Sequence, residues 1–228
     1  MIELVVFDMA GTVVDEDNVV YKTVRAAING HGYAFTQEQV QGAGAGKEKS
    51  RAIRDVLALD GNRHDDEEVA TIFSDFRQRL DQAYRDLDVR EQDGSSRVFA
   101  ALREQGIRVA LNTGYDRGTA EALIDKIGWQ AGRDYDVLVT ASDVDNGRPA
   151  PDMIHRAMQL ADVDSAAAVA KVGDSGIDIE EGKNAGCGVT LGITTGAQTE
   201  SQLLESSPTA VIHHLNEVLE FTQRADKP

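Results

Sequence analysis

The feature of this 228-residue chain that most limits its possible folds is a regular alternation of two kinds of segment. Short segments rich in Val, Ile and Leu, almost continuously apolar, alternate with amphipathic stretches of roughly ten residues. Strands covered by helices on both faces have this composition, so the pattern predicts an α/β fold with a parallel sheet. The predicted strands are Glu3–Phe7, Arg108–Asn112, Val137–Thr140, Ala168–Val172, Gly188–Ile193 and a short Ala210–Ile212, and the helices between them are Ser95–Gln105, Gly118–Ile127, Pro151–Ala161, Ile177–Ala185 and Glu200–Glu205.

The alternation stops between the first and second predicted strands. From Glu16 to Glu91 no strand pattern is present, and the whole interval has helical periodicity. We therefore predict an all-helical domain over residues 16–91, inserted into a sheet domain formed by residues 1–15 and 92–228. The predicted helices of the insert are Asn18–His31, Gln37–Val40, Glu48–Leu57 and Glu67–Leu87, and only the tail Gln223–Pro228 is expected to fray.

Charge and cysteine content exclude several classes of protein. The net charge of −16 opposes a generic nucleic-acid surface or a binder of anionic membranes, so neither nucleic acid nor membrane is an expected partner. Cys187 is the single cysteine and can form no internal disulfide. The N-terminus runs into a strand without a leader pattern, and no apolar stretch approaches the ~20 residues that span a bilayer, so we expect a cytoplasmic protein.

An aspartate follows the first predicted strand, in the segment Val6–Thr12 with the sequence VFDMAGT. The carboxyl ends of parallel strands form the ligand-binding edge of such a sheet, and Asp8 would project there. The turn after it contains Gly11, and the backbone amides of such a turn can face an anion. Taken alone, an aspartate at this position is equally compatible with a cap of the next helix.

Three further strand ends also carry chemically useful side chains. Thr113-Gly114-Tyr115 offers a hydroxyl and main-chain amides to a phosphate, although Thr-Gly commonly ends strands. Arg148, beside Pro149, supplies a cation that keeps its proton, and a surface ion pair is its ordinary alternative. Asp174 and Asp178, four residues apart at a helix start, could reach Mg²⁺ directly and through water, whereas helix capping explains Asp174 alone.

An aspartate, a hydroxyl, a cation and a carboxylate pair on successive strand ends resemble the haloacid dehalogenase superfamily of phosphoryl-transfer enzymes. The resemblance covers essentially the whole chain and implies a Rossmann-like core with an inserted helical cap. It makes Asp8 the nucleophile that becomes an aspartyl phosphate. It also implies that Asp8, Asp174 and the main-chain carbonyl of Ala10 bind Mg²⁺ directly, with Asp178 next to these ligands. Thr113, Gly114 and Arg148 would hold the phosphoryl group. Thr12 would orient the nucleophile loop, and Tyr115 would line the pocket.

Ala10 departs from most phosphatases of this superfamily, which carry there the aspartate that protonates the leaving alcohol. Asp-x-Ala-Gly-Thr is similar instead to the phosphonatase branch, the phosphonoacetaldehyde hydrolases, in which a cap lysine forms a Schiff base so that a carbon leaving group can depart. The segment Gly46–Arg54 fits that lysine pattern and puts the role on Lys49, with Lys47 as a competitor. Ala45 and Ala52 stand where phosphonatases carry methionine and histidine. A simple phosphate clamp is as compatible with these lysines as a Schiff base.

The resemblance implies a Mg²⁺-dependent hydrolase that cleaves the C–P bond of phosphonoacetaldehyde or a close analogue. Two alternatives stay open: a phosphatase for a small phosphate monoester, and a non-catalytic protein that binds a phosphorylated ligand. The expected partner is a small phosphorylated or phosphonate metabolite. By analogy with this branch, helix Asn18–His31 is a candidate contact in a homodimer.

Overall fold

The computed structural model describes residues 1–45, 47 and 49–222, which form two compact units. One unit comprises Met1–Asp15 with Val89–Pro228, and the other comprises Glu16–Asp88. Gly46, which opens the predicted lysine segment, Glu48, which begins the third predicted cap helix, and the tail Gln223–Pro228 lie outside the described residues.

The first unit is built on a six-stranded parallel sheet, which confirms the predicted α/β class. Its strand order is β5-β4-β1-β6-β7-β8. All five residues of the central strand β1 are buried, as expected for a strand covered on both faces. The sheet strands are β1 (Leu4–Asp8), β4 (Arg108–Thr113), β5 (Val137–Thr140), β6 (Val169–Gly173), β7 (Val189–Ile193) and β8 (Ala210–Ile212).

The helices of this unit follow the strands in alternation and confirm the predicted rhythm. They are α5 (Ser95–Glu104), α6 (Arg117–Ile127), α7 (Asp152–Leu160), α8 (Gly176–Ala185), α9 (Glu200–Glu205) and α10 (Val218–Thr222). Two of them, α6 and α8, end at Gly128 and Gly186 in the left-handed region, where a glycine closes a helix without strain.

The prediction that no strand lies between Glu16 and Glu91 is wrong at its end, because an antiparallel ribbon of two two-residue strands includes Arg90 and Glu91. Strand β2 (Val14–Asp15) pairs with β3 (Arg90–Glu91), with Val14 opposite Glu91. Strands this short leave no period in the sequence, so hydrophobic pattern alone could not predict them. The ribbon joins the two chain segments that flank the helical unit.

The sheet register brings the functional strand ends to one edge. Asp8 lies opposite Asn112, so that Thr113 follows one residue further along β4. On the other side, Phe7 lies opposite Val172, and β6 ends at Gly173 directly before Asp174. Because the strands are parallel, all these ends meet at the carboxyl edge of the sheet.

The described residues of the second unit form four α-helices and a short 3-10 helix at Ala58–Asp60; the α-helices are α1 (Val19–Gly30), α2 (Gln37–Gly44), α3 (Lys49–Leu57) and α4 (Asp66–Asp86). Helix α2 begins with a capping box between Thr36 and Gln39, and α4 begins at a cap in which Asp65 accepts from the amide of Glu68. Ile53, Ile72 and Phe76 are buried in the core of this unit. Among the described helices, none combines the length and apolar character that a bilayer crossing requires.

Candidate active site

Asp8 is the last residue of β1, and its side chain is buried at the sheet edge. Its Oδ1 forms a 2.7 Å ion pair with Arg148 Nη2, and Thr12 Oγ1 lies 3.5 Å from its Oδ2. The chain turns sharply after the strand, because the amides of Thr12, Val13 and Val14 all donate to the carbonyl of Met9. The turn therefore buries Thr12 next to the carboxylate, and its orienting role stays a prediction.

Three carboxylates converge at this edge. One oxygen each of Asp8, Asp174 and Asp178 lies within 4.8 Å of the other two, and all three residues are buried. Asp174 follows β6, and Asp178 lies in the first turn of α8. Gly173 lets α8 approach closely, since a Cβ there would overlap the side chain of Asp178.

Two glycines pack directly against Asp174. A Cβ at Gly11 or at Gly196 would overlap Asp174 Oδ2, and Gly11 also has a φ of +77°. The loop after β7 completes this contact: Ala197 N donates to Asp174 Oδ2 at 2.6 Å, and Thr195 Oγ1 donates to the carbonyl of Gly11 at 2.7 Å. Sequence reasoning missed this loop, because nothing in its composition separates it from an ordinary connection.

The guanidinium of Arg148 joins the carboxylates. Beyond its contact with Asp8, Nη1 lies 3.0 Å from Asp178 Oδ1, Nε lies 3.1 Å from Glu181 Oε2, and Nη2 donates to the side-chain and main-chain oxygens of Asn112 at 2.8 and 3.0 Å. The side chain is only 12% exposed. Arg148 therefore links the end of strand β1 to the first turn of helix α8.

Lys171, Glu181 and Asn112 form a buried polar layer behind these residues, and the sequence analysis gave none of the three a role in the site. Lys171 Nζ donates to Asn112 Oδ1 at 2.6 Å and lies 3.1 Å from both Asp178 Oδ1 and Glu181 Oε2. Glu181 also accepts from Asn112 Nδ2 at 2.9 Å. A signal was available, because a lysine and an asparagine inside otherwise apolar, buried strands are rarely tolerated without a buried partner.

The electrostatics of the carboxylates reflect their burial and mutual repulsion. Burial, and then the charges of Asp8 and Asp178, hold the pKa of Asp174 well above its ordinary value. Burial also raises the pKa of Asp8, although Arg148 opposes the shift. For Asp178, the charges of Arg148 and Lys171 outweigh the effect of burial, and its pKa is lowered. The ionised trio therefore needs further positive charge.

The residues fit a divalent cation. One oxygen each of three buried carboxylates lies within 4.8 Å of the other two, and Arg148 and Lys171 lie 3.0 and 3.1 Å from Oδ1 of one of them, Asp178, while Arg148 also contacts Asp8. Closely spaced carboxylate oxygens are a ligand set of the kind that hard cations prefer. Asp8, Asp174 and Asp178 could thus hold a metal ion. Ala10, whose carbonyl the resemblance assigns to the ion, lies in the turn that follows Asp8 and forms an isolated β-bridge with Val14.

The predicted phosphate segment lies at the same edge. Thr113 is buried at the end of β4, and its Oγ1 accepts from Tyr115 N at 3.2 Å, which leaves the hydroxyl proton available to another acceptor. Gly114 is exposed, and Tyr115 is half-buried. Asp116 then caps α6 by accepting from Thr119 N at 3.0 Å. Their roles in ligand binding stay predictions.

The two predicted lysines lie at the start of α3 in the helical unit and differ in their contacts. Lys47 forms a 2.5 Å ion pair with Asp55. Lys49 Nζ lies 4.9 Å from the centre of the Tyr21 ring, 3.4 Å from its hydroxyl and 3.0 Å from the carbonyl of Lys47. Ala52, at the position where the resemblance expects histidine, is fully buried against α2 near Gly44.

Phosphonoacetaldehyde hydrolases are among the known proteins that this chain is similar to in sequence. The phosphonoacetaldehyde hydrolase of Bacillus cereus is 32% identical over 226 residues, which cover 89% of this chain and 81% of that protein. The same enzyme of Bacillus cereus strain B4264 is 41% identical over 115 residues, which cover 49% of this chain and 43% of that enzyme. This chain thus spans less than half the length of the first curated relatives that it matches.

Solved structures and a family model complete the comparison. A phosphonoacetaldehyde hydrolase-like protein from Oleispira antarctica superposes with a TM-score of 0.79 at 24% identity, covering 100% of this chain and 96% of that one, a likeness that shows the fold alone. The model of the haloacid dehalogenase-like hydrolases matches residues 2–186. With a parallel sheet, an inserted helical unit and a buried carboxylate trio at the strand ends, the chain belongs to the haloacid dehalogenase-like hydrolase family.

Proposed function

We propose that this protein is a Mg²⁺-dependent hydrolase that cleaves the carbon–phosphorus bond of phosphonoacetaldehyde or a close analogue through an aspartyl phosphate on Asp8. The observation that carries the proposal is the meeting of Asp8 with Asp174, Asp178 and Arg148 at one buried point. Nothing in a simple binding protein requires three ionisable carboxylates to be buried within 4.8 Å of each other.

The first half-reaction is a displacement at phosphorus. A carboxylate oxygen of Asp8 forms a bond to phosphorus while the P–C bond breaks, and its electron pair leaves with the carbon. Arg148 holds Asp8 Oδ1 so that the carboxylate does not rotate during attack. When bound, Mg²⁺ would neutralise negative charge on the carboxylates and the phosphoryl oxygens. Water then hydrolyses the aspartyl phosphate, releasing phosphate and restoring Asp8.

The residue at position 10 supports a carbon leaving group. A methyl group at Ala10 cannot protonate an alkoxide, so a phosphate monoester would lack its usual acid at that place. A carbon leaving group needs delocalisation of its electron pair instead. An imine between the aldehyde and a lysine, formed with loss of water, provides this, because cleavage then yields an enamine that is hydrolysed to acetaldehyde and free lysine.

We assign the imine to Lys49. The amine that attacks the aldehyde has to reach its carbonyl carbon, and Lys47 Nζ is instead engaged in a 2.5 Å ion pair with Asp55. In the described part of the chain, Lys49 contacts a phenol and a main-chain carbonyl and forms no ion pair. These contacts support Lys49 over Lys47 as the nucleophilic amine.

The test uses phosphonoacetaldehyde, a panel of phosphate monoesters, and borohydride. We expect Mg²⁺-dependent release of acetaldehyde and phosphate from phosphonoacetaldehyde, and borohydride trapping of the imine on Lys49 detected by peptide mass. Lys49→Ala should abolish trapping and C–P cleavage, whereas the matched control Lys47→Ala should retain both.

Two other outcomes would overturn the proposal. Hydrolysis of many phosphate monoesters with Lys49 dispensable would make the protein a phosphatase. Absence of turnover on every compound, together with unchanged ligand affinity in Asp8→Asn, would make it a non-catalytic binding protein.

A further inference from the structure

Two charged residues behind the candidate active site have no role in the reaction described above. Lys171 and Glu181 are completely buried, and both contact residues that the mechanism does use. We propose that Glu181 and Lys171 are positioning residues: Glu181 fixes the guanidinium of Arg148, and the two opposite charges together set the affinity of the site for a divalent cation. The inference rests on the metal and phosphoryl chemistry of the proposed function.

Glu181 is the residue that holds Arg148 from behind. Its Oε2 lies 3.1 Å from Arg148 Nε, while Nη2 of the same guanidinium contacts Asp8. Asn112 fixes Glu181 in turn, with Nδ2 within 2.9 and 3.1 Å of its two carboxylate oxygens. Glu181 lies three residues after Asp178, so one face of α8 presents both carboxylates to Arg148.

Lys171 balances these carboxylates from the sheet. It lies in the middle of β6, with Nζ 3.1 Å from both Asp178 and Glu181 and 2.6 Å from Asn112 Oδ1. Helix α8 leaves room for it at Gly182, where a Cβ would lie only 2.9 Å from Lys171 Cβ. The structure thus accommodates a buried lysine at a place where a core strand normally carries an apolar residue.

The charge balance of the cluster defines what each residue does. Four buried carboxylates, those of Asp8, Asp174, Asp178 and Glu181, face two cations, Arg148 and Lys171. When all are ionised, the excess is two negative charges, which a divalent cation neutralises. Neutralising Glu181 leaves an excess of one, and neutralising Lys171 leaves an excess of three. The two changes should therefore move cation affinity in opposite directions.

The experiment is a calorimetric titration of the protein with Mg²⁺ alone, so that it does not depend on turnover. We expect Glu181→Gln to weaken Mg²⁺ binding by on the order of tenfold and Lys171→Met to tighten it by a similar factor. The double variant, which restores the original balance, should return close to the wild-type affinity. Glu180→Gln, at the exposed neighbouring position of α8, is the matched control and should leave binding unchanged.

Glu181→Asp separates positioning from charge. It keeps the charge but shortens the reach to Arg148, so Mg²⁺ affinity should stay near the wild-type value while kcat falls at unchanged KM. Weaker Mg²⁺ binding in both single variants would overturn the charge assignment, and an unchanged kcat in Glu181→Asp would overturn the positioning role. If one single variant fails to fold, the other still tests the charge assignment, which an unchanged Mg²⁺ affinity would overturn, and Glu181→Asp still tests the positioning role. Failure of the proposed function would appear separately, as absent turnover in the wild type with the Mg²⁺ titrations intact.

Discussion

Arg148 and Asp8 form a 2.7 Å ion pair at the end of the central strand, and the same guanidinium lies 3.0 Å from Asp178 at the start of α8. The sequence predicted Arg148 as a ligand of phosphoryl oxygens. Its contacts in the structure are with the two carboxylates, with Glu181 and with Asn112, and they engage all three of its nitrogens. We infer that Arg148 first orients the nucleophile, and that a phosphoryl group would share a guanidinium that is already fixed.

The first prediction is that Arg148→Lys loses most of the activity. A lysine carries the charge but has a single nitrogen, which cannot contact Asp8, Asp178 and Glu181 in the planar arrangement of a guanidinium. We expect kcat to fall by about 10²-fold, in the range seen when one preorganised charge-stabilising donor is removed. Arg156→Lys, on the exposed side of α7, serves as the control. Wild-type kcat in Arg148→Lys would show that charge alone is sufficient.

The second prediction concerns the close packing of Gly196 against Asp174. A Cβ at position 196 would overlap Asp174 Oδ2, so Gly196→Ala has to displace the carboxylate or the loop that donates to it from Ala197. We expect Mg²⁺ affinity, measured by calorimetry, to fall by roughly tenfold or more, which corresponds to ~1.4 kcal/mol. Gly42→Ala introduces the same methyl group at a place with open space and should bind Mg²⁺ like the wild type. Equal affinities in the two variants would contradict a fixed Asp174.

The sequence predicted most of the sheet because buried parallel strands are continuously apolar and end at one edge. Asp8, Arg148 and Asp174 were found for that reason: each follows a strand, and strand ends meet. Asn112, Lys171 and Glu181 received no role in the site, because a polar side chain inside a strand or helix shows no partner in the sequence. Asn112 lies 59 positions from Lys171 and 69 from Glu181 along the chain, and the parallel pairing of β1 with β4 and β6 brings it close to both.

Helix bounds in the inserted unit were predicted to within one to four residues. The largest difference is α2, which continues to Gly44 instead of ending at Val40. Its second half is rich in glycine, which argues against a helix by propensity, but Gly44 is buried against Ala52 of α3 and tertiary packing decides the outcome.

The third prediction is a pH-dependent contribution of His64 to the stability of the helical unit. His64 lies between two carboxylates, with Nε2 3.0 Å from Asp60 Oδ1 and Nδ1 2.9 Å from Glu68 Oε2, and Tyr33 donates to Glu68 Oε1 at 2.5 Å. The hydrogen bonds to Asp60 and Glu68 raise the pKa of His64. The bond from Tyr33, and then that from His64, lowers the pKa of Glu68, and the bond from His64 lowers that of Asp60.

The directions of these pKa shifts define the pH range in which His64 stabilises the folded protein. A histidine whose pKa is raised on folding stabilises the protein fully below its unfolded pKa of about 6.5, and the contribution is lost as the pH rises through the folded value. Asp60 and Glu68, whose pKa values are lowered on folding, stabilise the protein above their unfolded pKa values of about 4, and this stabilisation is lost as the pH falls. The free energy of unfolding lost in His64→Gln, measured by urea denaturation, should therefore be largest near pH 5.5 and decline by pH 9. A loss that does not vary with pH would exclude the ionic contribution.

The last prediction is that Asp174→Asn stabilises the protein when divalent cations are removed. Burial and the charges of Asp8 and Asp178 raise the pKa of Asp174, so its ionised form is disfavoured in the folded state. A raised carboxyl pKa costs stability progressively as the pH rises from the unfolded value towards the folded one, and the loss is complete above it. Asparagine removes this repulsion and can still accept a hydrogen bond from Ala197 N.

In EDTA at pH 8 we expect the Tm of Asp174→Asn to exceed that of the wild type by about 2–4 °C, which corresponds to ~1 kcal/mol for a chain of this size. In excess Mg²⁺ the order should reverse, because the ion stabilises only the carboxylate, and activity should be lost. Asp164→Asn, at an exposed position of the same unit, should show neither effect. A Tm for Asp174→Asn at or below that of the wild type in EDTA would mean that the carboxylates are not in electrostatic conflict.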